Sequence, residues 1–214
     1  MALGASYGGA LGITGSSGPG LALKIEALNL AVMTELPLIV FDFMRSGVST
    51  GMPTKTEQGD LAMALFGRPS DSHVIVLAPS TAADCFWISI EAVKLATKYM
   101  TPVVVLSEGF LVNSSEPWKI PNLKKIPKIK SPFRKKVEGY LPYKRNRETL
   151  ARDWVKVGTK GLEHRIGGLE KLNETGDVTQ DAENHDLMTR LRVEKVQRVV
   201  DDIPDLEIIG DKDA

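Results

Sequence analysis

Residues 36–54 read LPLIVFDFMRSGVSTGMPT, an apolar run that passes directly into a loop of hydroxyls, glycines and one arginine. A run that is apolar at nearly every position is typical of a parallel strand buried on both faces. Ligands of open α/β sheets bind just beyond the carboxyl ends of such strands. The loop therefore predicts a site in which Arg45 offers a planar fork for a carboxylate or phosphate. Spacing alone equally allows Arg45 to be a surface residue that caps a strand end.

The first half of the chain repeats this alternation of apolar runs and amphipathic stretches. The apolar runs predict strands at residues 11–14, 38–43, 74–77 and 103–106. The amphipathic stretches between them predict helices at residues 21–34, 57–66 and 81–99. Ser80 or Thr81 is placed to cap the last helix, with Asp84 completing a capping box. The pattern predicts an α/β fold, an open parallel sheet flanked by helices.

The composition changes after residue 113, which we take as the end of the α/β domain. Residues 114–183 predict an extended Pro-rich basic arm followed by a Gly-rich turn region, and Glu138 is the only acid between residues 119 and 147. Such an arm is either a solvated connection draped over a partner domain or an electrostatic platform for phosphates or an acidic protein. Residues 184–214 predict a linker helix and the start of a next domain, with a strand beginning at 206–210.

Composition narrows the classes of function. The 27 basic and 27 acidic residues balance, which argues against a nucleic-acid partner. The single cysteine, Cys85, rules out a disulfide framework and an iron–sulfur cluster held by this chain alone, and we expect it in the core. No histidine pair has the spacing of a metal site. No secretory signal or run of about 20 apolar residues is present, so we expect no membrane span and a cytoplasmic protein.

Three weaker candidates remain. The loop GITGSSGPG at residues 12–20 follows the first strand and precedes a helix, where glycines and free N–H groups suit an anion, although a tight turn without a ligand fits as well. His164 lies beside an arginine in a Gly-rich turn. Glu57 and Asp60 are one turn apart in a predicted helix, a common surface arrangement that predicts no acid–base pair.

Four segments together carry a family resemblance, at residues 14–61, 73–118, 159–171 and 183–196. They resemble the α subunit of 2-oxoacid:ferredoxin oxidoreductases, particularly the 2-oxoglutarate type. The resemblance implies that residues 1–113 are part of a pyrimidine-type thiamine diphosphate domain. The resemblance also implies that this domain faces a β subunit, which holds the diphosphate and its Mg²⁺. It further implies oxidative decarboxylation of a 2-oxoacid to acyl-CoA and CO₂, with coenzyme A as co-substrate, ferredoxin as electron acceptor and iron–sulfur clusters in partner chains.

The resemblance also assigns residues to the site. Arg45 matches the family arginine that receives the substrate carboxylate, and Thr54 matches a threonine of the same pocket. Ser49 and Thr50 are their neighbours in the substrate loop, in which Val48 replaces a common proline. The turn near the aminopyrimidine end of the cofactor matches Gly15, Ser16, Ser17, Gly18 and Gly20.

One departure from the family pattern affects the expected activity. The family glutamate that activates the aminopyrimidine, and a substrate-contacting threonine loop, would precede Met1. Glu26 and Glu35 do not match that glutamate, because their motif neighbours place them elsewhere. The comparison predicts a chain truncated at both ends, without a catalytic residue of its own and inactive alone. The alternatives are a non-catalytic module that docks on the β subunit, a version specific for pyruvate or branched-chain 2-oxoacids, and an unrelated phosphate-binding α/β protein.

Overall fold

The computed structural model describes residues 1–129, 133–205 and 210. The strands in chain order are β1 (Gly12–Ser16), β2 (Leu38–Met44), β3 (Ile75–Leu77) and β4 (Pro102–Glu108). The helices are α1 (Ala2–Tyr7), α2 (Gly18–Thr34), α3 (Gly59–Phe66), α4 (Asp84–Tyr99), α5 (Gly109–Asn113) and α6 (Ala182–Gln197). Two short 3₁₀ segments follow later elements, at Leu123–Lys125 and Arg198–Asp202.

The four strands form one parallel sheet in the order β1-β2-β4-β3. The central strands β2 and β4 are in register from Leu38 opposite Pro102 to Met44 opposite Glu108. The predicted α/β fold with an open parallel sheet is confirmed. Helix α5 is not predicted by the sequence, because five residues are too few to show a helical period.

Helix α4 begins at Asp84, three residues later than the sequence predicts. Its expected capping residues do interact, but in the turn that precedes the helix. The Asp84 amide donates to Thr81 Oγ1 at 3.1 Å, and the Asp84 carboxylate accepts a hydrogen bond from the Ser80 amide at 2.8 Å. These side-chain bonds hold the turn at residues 80–84, and the regular helix follows it.

The side chains of β2 alternate between two cores, as expected for a strand covered on both faces. Leu38 and Val40 pack with α2 and α3 on one face, and Ile39 packs with α4 on the other. Cys85 belongs to neither core, contrary to the sequence prediction. It is half-buried in the first turn of α4, where it lines a cavity at the end of the sheet.

The segment after α5 divides into two parts. Residues 115–129 are largely exposed and carry the first lysines of the predicted basic arm. The chain from Phe133 onward packs on the sheet domain instead. Trp154 is buried against the Phe133 ring, and its indole Nε1 donates to the carbonyl oxygen of Ser6 at 3.1 Å. The arm is therefore docked over its second half.

A buried ion cluster around Glu35 accounts for much of this docking. Arg145 donates to both Glu35 carboxylate oxygens, with 2.7 Å between Nη1 and Oε2, and Lys195 of α6 contacts the same carboxylate. Arg152 donates to the carbonyl oxygens of Thr34 and Glu35 at 3.1 and 3.2 Å. The helix that the sequence predicts as a linker thus docks, with the arm, at the carboxyl end of α2.

Two predictions concern the limits of the fold. The strand expected to begin at 206–210 lies outside the described residues, apart from Gly210. Within residues 1–129 and 133–205, no helix combines the length and the apolar character that crossing a bilayer requires.

Candidate functional site

Residues 45–55 form a closed turn directly after β2, which we call the Arg45 loop. The Ser46 amide donates to the carbonyl oxygen of Lys55 at 3.0 Å, and the Met52 amide donates to that of Ser46 at 2.7 Å. Gly47 and Gly51 have φ values of 93° and 63°, a backbone conformation in which glycine avoids steric strain. A Cβ at Gly51 would also collide with the carbonyl oxygen of Ser46. The loop is therefore shaped by its own backbone bonds.

Arg45 connects this loop to the turn that follows the neighbouring strand. Its Nη2 donates to Ser17 Oγ at 2.9 Å, and Ser17 is the N-cap residue of α2. Its Nε is buried and has no hydrogen-bond partner among the described residues. The guanidinium is thus anchored through Nη2 at the carboxyl edge of the sheet.

Two cavities open on either side of Arg45, and both include Ser17. One, of about 400 Å³, is lined by Gly18, Ser49 and Asp60 among others. The other, of about 460 Å³, is lined by residues from the ends of β1 and β2, the Arg45 loop and α5, including Ser16, Phe43, Thr54, Gly109 and Asn113. The guanidinium therefore stands between two spaces that can accept a ligand.

The structure brings most of the predicted site residues to these two cavities, namely Arg45, Ser49, Thr54, Ser16, Ser17 and Gly18. Thr50 is exposed and lines neither. Gly15 lies against the Phe43 ring. A Cβ added to Gly15 would be 3.4 Å from the nearest carbon of that ring. Gly20 lies against the Ser16 side chain, so that a Cβ there would collide with it.

A third, more apolar cavity of about 470 Å³ shares Phe43 and Val112 with the second. The Phe41 and Phe43 rings stack along it with centroids 6.4 Å apart. The Ser107 hydroxyl, on a residue only 5% exposed, lines it without a hydrogen-bond partner among the described residues. A flat apolar group can pack here while reaching a polar atom.

A pair of carboxyl groups beside Arg45 escaped the sequence analysis. Asp42 of β2 is fully buried, and Asp60 in the first turn of α3 lines the cavity with Arg45. Burial raises the pKa of Asp42 to about 7, and the adjacent Asp60 carboxylate adds to the rise. Burial raises the pKa of Asp60 as well. The sequence feature that could have revealed this pair is Asp42, an aspartate inside the otherwise apolar run of β2.

The remaining candidates lie elsewhere. His164 sits between the rings of Tyr7 and Tyr140, with Nδ1 3.0 Å from the carbonyl oxygen of Leu162, and burial lowers its pKa. It lines none of the three cavities. In the part of the chain that the structure describes, no cluster of three or more His, Cys, Asp or Glu side chains is arranged to hold a metal ion.

The chain is thus an α/β protein with two cavities at the carboxyl edge of a parallel sheet, on either side of an anchored arginine. A family model described as "Pyruvate flavodoxin/ferredoxin oxidoreductase, thiamine diP-bdg" matches residues 1–184. The chain belongs to this family of thiamine diphosphate-binding domains. The resemblance stated from the sequence is confirmed.

Curated relatives and a solved structure agree with this assignment. The chain is 57% identical over 207 residues to the 2-oxoglutarate oxidoreductase subunit KorA of Mycobacterium tuberculosis, covering 97% of this chain and 31% of that protein. It is 33% identical over 189 residues to the 2-oxoglutarate synthase subunit KorA of Archaeoglobus fulgidus, covering 88% and 48%.

The solved structure is a 2-oxoglutarate:ferredoxin oxidoreductase from Magnetococcus marinus with 2-oxoglutarate, coenzyme A and succinyl-CoA bound. It matches with a TM-score of 0.92 and 37% identity, over 99% of this chain and 36% of that one. This chain spans 31 to 48% of the two curated relatives' length.

Proposed function

We propose that this chain forms the thiamine-binding part of the α subunit of a 2-oxoglutarate:ferredoxin oxidoreductase. The reaction would convert 2-oxoglutarate and coenzyme A to succinyl-CoA and CO₂ while reducing ferredoxin. The observation that carries the proposal is Arg45, which is anchored through Nη2 on Ser17 and lines both cavities at the strand ends. A guanidinium held in this way suits the planar carboxylate of a 2-oxoacid.

Arg45 would bind the substrate carboxylate, and the hydroxyls of Ser49 and Thr54 would line the substrate space on its two sides. Holding the carboxylate orients the 2-oxo carbon, which is the main contribution a binding residue makes to such a reaction. Thr50, which is exposed, would contact the substrate only through a change in the loop.

The cavities beside Phe43 fit the cofactor expected from the family. The Gly15–Gly20 turn and the Phe43 ring would lie against the aminopyrimidine end, where a glycine backbone and an aromatic face permit close approach. Bound thiamine diphosphate would supply the carbanion that attacks the 2-oxo carbon. We assign the diphosphate and its Mg²⁺ to a partner β subunit, and the iron–sulfur clusters to partner chains that pass electrons to ferredoxin.

The test uses the full-length subunit assembled with its partner chains, thiamine diphosphate and coenzyme A. Ferredoxin reduction is followed with 2-oxoglutarate, pyruvate and a branched-chain 2-oxoacid. We expect 2-oxoglutarate to give the highest kcat/KM and Arg45→Lys to raise its KM about 10- to 100-fold, the effect of losing one charge-assisted bidentate contact. Equal turnover of pyruvate would overturn the substrate assignment. Loss of assembly in Arg45→Ala, with substrate affinity unchanged, would favour the docking module instead.

For the exposed part of the basic arm we propose a contact with the partner subunit or with the phosphates of coenzyme A. Its support is the exposure of Lys124, Lys125 and Lys128 and the absence of any acid from residues 119–129. Reversing these three charges should weaken subunit association or raise the KM for coenzyme A. If both quantities stay at their wild-type values, the arm has another role.

A further inference from the structure

Asp42 and Asp60 lie beside each other, the Asp42 carboxyl fully buried and the Asp60 carboxyl half-buried at the edge of a cavity. Asp42 follows Val40 on the face of β2 that packs against α2 and α3, and Asp60 approaches it from the first turn of α3. Among the described residues, neither Asp42 oxygen has a hydrogen-bond donor. Two ionised carboxylates can only accept hydrogen bonds, so a bond between them requires one proton on the pair.

The charged groups around the pair do not compensate a second negative charge on it. The β1 and β4 residues in register with Asp42 are uncharged. Within the described part of the chain, the charged side chains that act on the pair are Lys24 from α2, Glu57 from the segment before α3 and Arg45 after β2. Lys24 stabilises ionised Asp42 and Arg45 stabilises ionised Asp60, whereas Glu57 opposes a second negative charge. This balance suits a pair with a single negative charge.

The pair is connected to the guanidinium by the turn at the start of α2. The Asp60 carboxylate oxygens lie 2.5 and 2.8 Å from the position that a Cβ on Gly18 would occupy. Gly18 directly follows Ser17, which anchors Arg45. Asp60 and Arg45 also line one cavity. A change in the charge of Asp60 therefore alters the electrostatic potential at the Arg45 guanidinium. A change in its position alters the orientation of Arg45 through Gly18 and Ser17.

On the basis of the function proposed above, we propose that Asp42 and Asp60 share one proton and act as positioning residues for the Arg45 site. With the proton in place, the pair carries one negative charge and holds the Gly18 turn against α3. When the proton is lost, a second negative charge beside Arg45 competes with the anionic 2-oxoacid for the guanidinium. Substrate binding then weakens as the pH rises.

The experiment measures the Kd of 2-oxoglutarate by calorimetry on the full-length subunit in its assembled complex. We expect the wild-type Kd to rise about fivefold between about pH 6.5 and about pH 8.5, the effect of one unit charge a few ångströms away in a partly exposed site. Asp42→Asn keeps the shape and permanently donates to Asp60, so its Kd should stay near the low-pH value throughout. Asp42→Leu, which offers no donor, should weaken binding at every pH.

A charge-matched control is Glu26→Gln, an exposed acid on α2, which should keep the wild-type pH dependence. Infrared spectroscopy provides a readout that does not depend on substrate, because a protonated carboxyl has its own C=O band. That band should be present at low pH in the wild type and missing in Asp42→Asn. Absence of the wild-type band, or an unchanged pH dependence of Kd in Asp42→Asn, would overturn the shared proton. Failure of the wild type to bind 2-oxoglutarate at any pH would instead refute the proposed function.

Discussion

Arg45 Nη2 donates a 2.9 Å hydrogen bond to Ser17 Oγ, and this contact joins the loops that follow two neighbouring parallel strands. Ser17 also occupies the N-cap position of α2, at the point where the glycine turn ends. The orientation of the guanidinium therefore depends on the β1 turn as well as on the Arg45 loop. An arginine held at one corner loses less conformational entropy when it binds a carboxylate.

Ser17→Ala tests this anchor. We expect the affinity for the 2-oxoacid to fall about 3- to 10-fold, because a typical intramolecular hydrogen bond contributes about 1 kcal/mol and Arg45 would lose its fixed orientation. Calorimetric titration of the assembled complex measures the effect. Ser115→Ala, which removes an exposed hydroxyl outside the three cavities, serves as the control. An affinity equal to that of the control would show that the anchor does not matter for binding.

Gly51→Ala tests the shape of the Arg45 loop. A methyl group there meets the carbonyl oxygen of Ser46, and a φ of 63° costs a non-glycine residue about 1–2 kcal/mol. We expect substrate affinity to fall at least about tenfold, since the collision forces the backbone of the Arg45 loop to shift and moves Arg45 with it. Gly139→Ala is a matched control, with a φ of 64° and nothing within 4 Å of the added methyl. It should lose only the stability that the positive φ costs, about 1–2 kcal/mol in urea unfolding, and keep its affinity.

Glu35→Gln tests the buried ion cluster. Glu35 is 2% exposed and neutralises Arg145 and Lys195, so the variant leaves two cations without their anion. We expect the free energy of unfolding to fall by about 3–5 kcal/mol, the usual cost of breaking a buried ion pair. Urea unfolding monitored by tryptophan fluorescence gives this value.

Glu194→Gln provides the surface comparison, because it breaks an exposed i,i+4 pair with Arg198. It should cost less than about 1 kcal/mol. Equal losses for the two variants would mean that the Glu35 cluster is no more important than a surface pair.

The same cluster predicts sensitivity to acid. Burial acts to raise the pKa of Glu35, but its ion pairs with Arg145 and Lys195 outweigh burial and hold that pKa far below its usual value. Burial likewise acts to raise the pKa of Asp71, and hydrogen bonds from Arg192 and Ser70 lower it overall. The stability from a lowered carboxyl pKa is complete above the unfolded pKa and is lost as the pH falls toward the folded one.

The unfolding free energy should therefore decline steadily below about pH 4.5, the range in which the unfolded carboxylates take up protons. Urea titrations across that range should show a shallower decline for Glu35→Gln than for the wild type. Parallel curves would argue that other carboxylates cause the acid sensitivity.

Limited proteolysis tests the division of the arm. Trypsin should cut first after Lys124, Lys125 and Lys128 in the exposed part, and only later after the buried Arg145 and Arg152. Cleavage needs local opening, and opening is costly where side chains are buried and paired. Mass spectrometry of early fragments identifies the order. Early cuts at Arg152 would contradict the docking around Glu35.

The fold class and the position of the Arg45 loop can both be read from the sequence. Apolar runs such as residues 38–43 report burial on both faces, and a loop after such a strand must lie at the carboxyl edge. Local patterns also placed the longer helices, within a few residues at their ends. Local patterns predict helices because helix formation depends mainly on residues within one or two turns along the chain.

Which side chains contact each other depends on the tertiary structure. Arg45 and Ser17 are 28 residues apart, and Lys195 reaches Glu35 across 160 residues. The pairing of Asp42 with Asp60 depends on how α3 crosses β2. Such contacts follow from strand order and helix docking, which the burial of the whole core selects, and no local pattern encodes them.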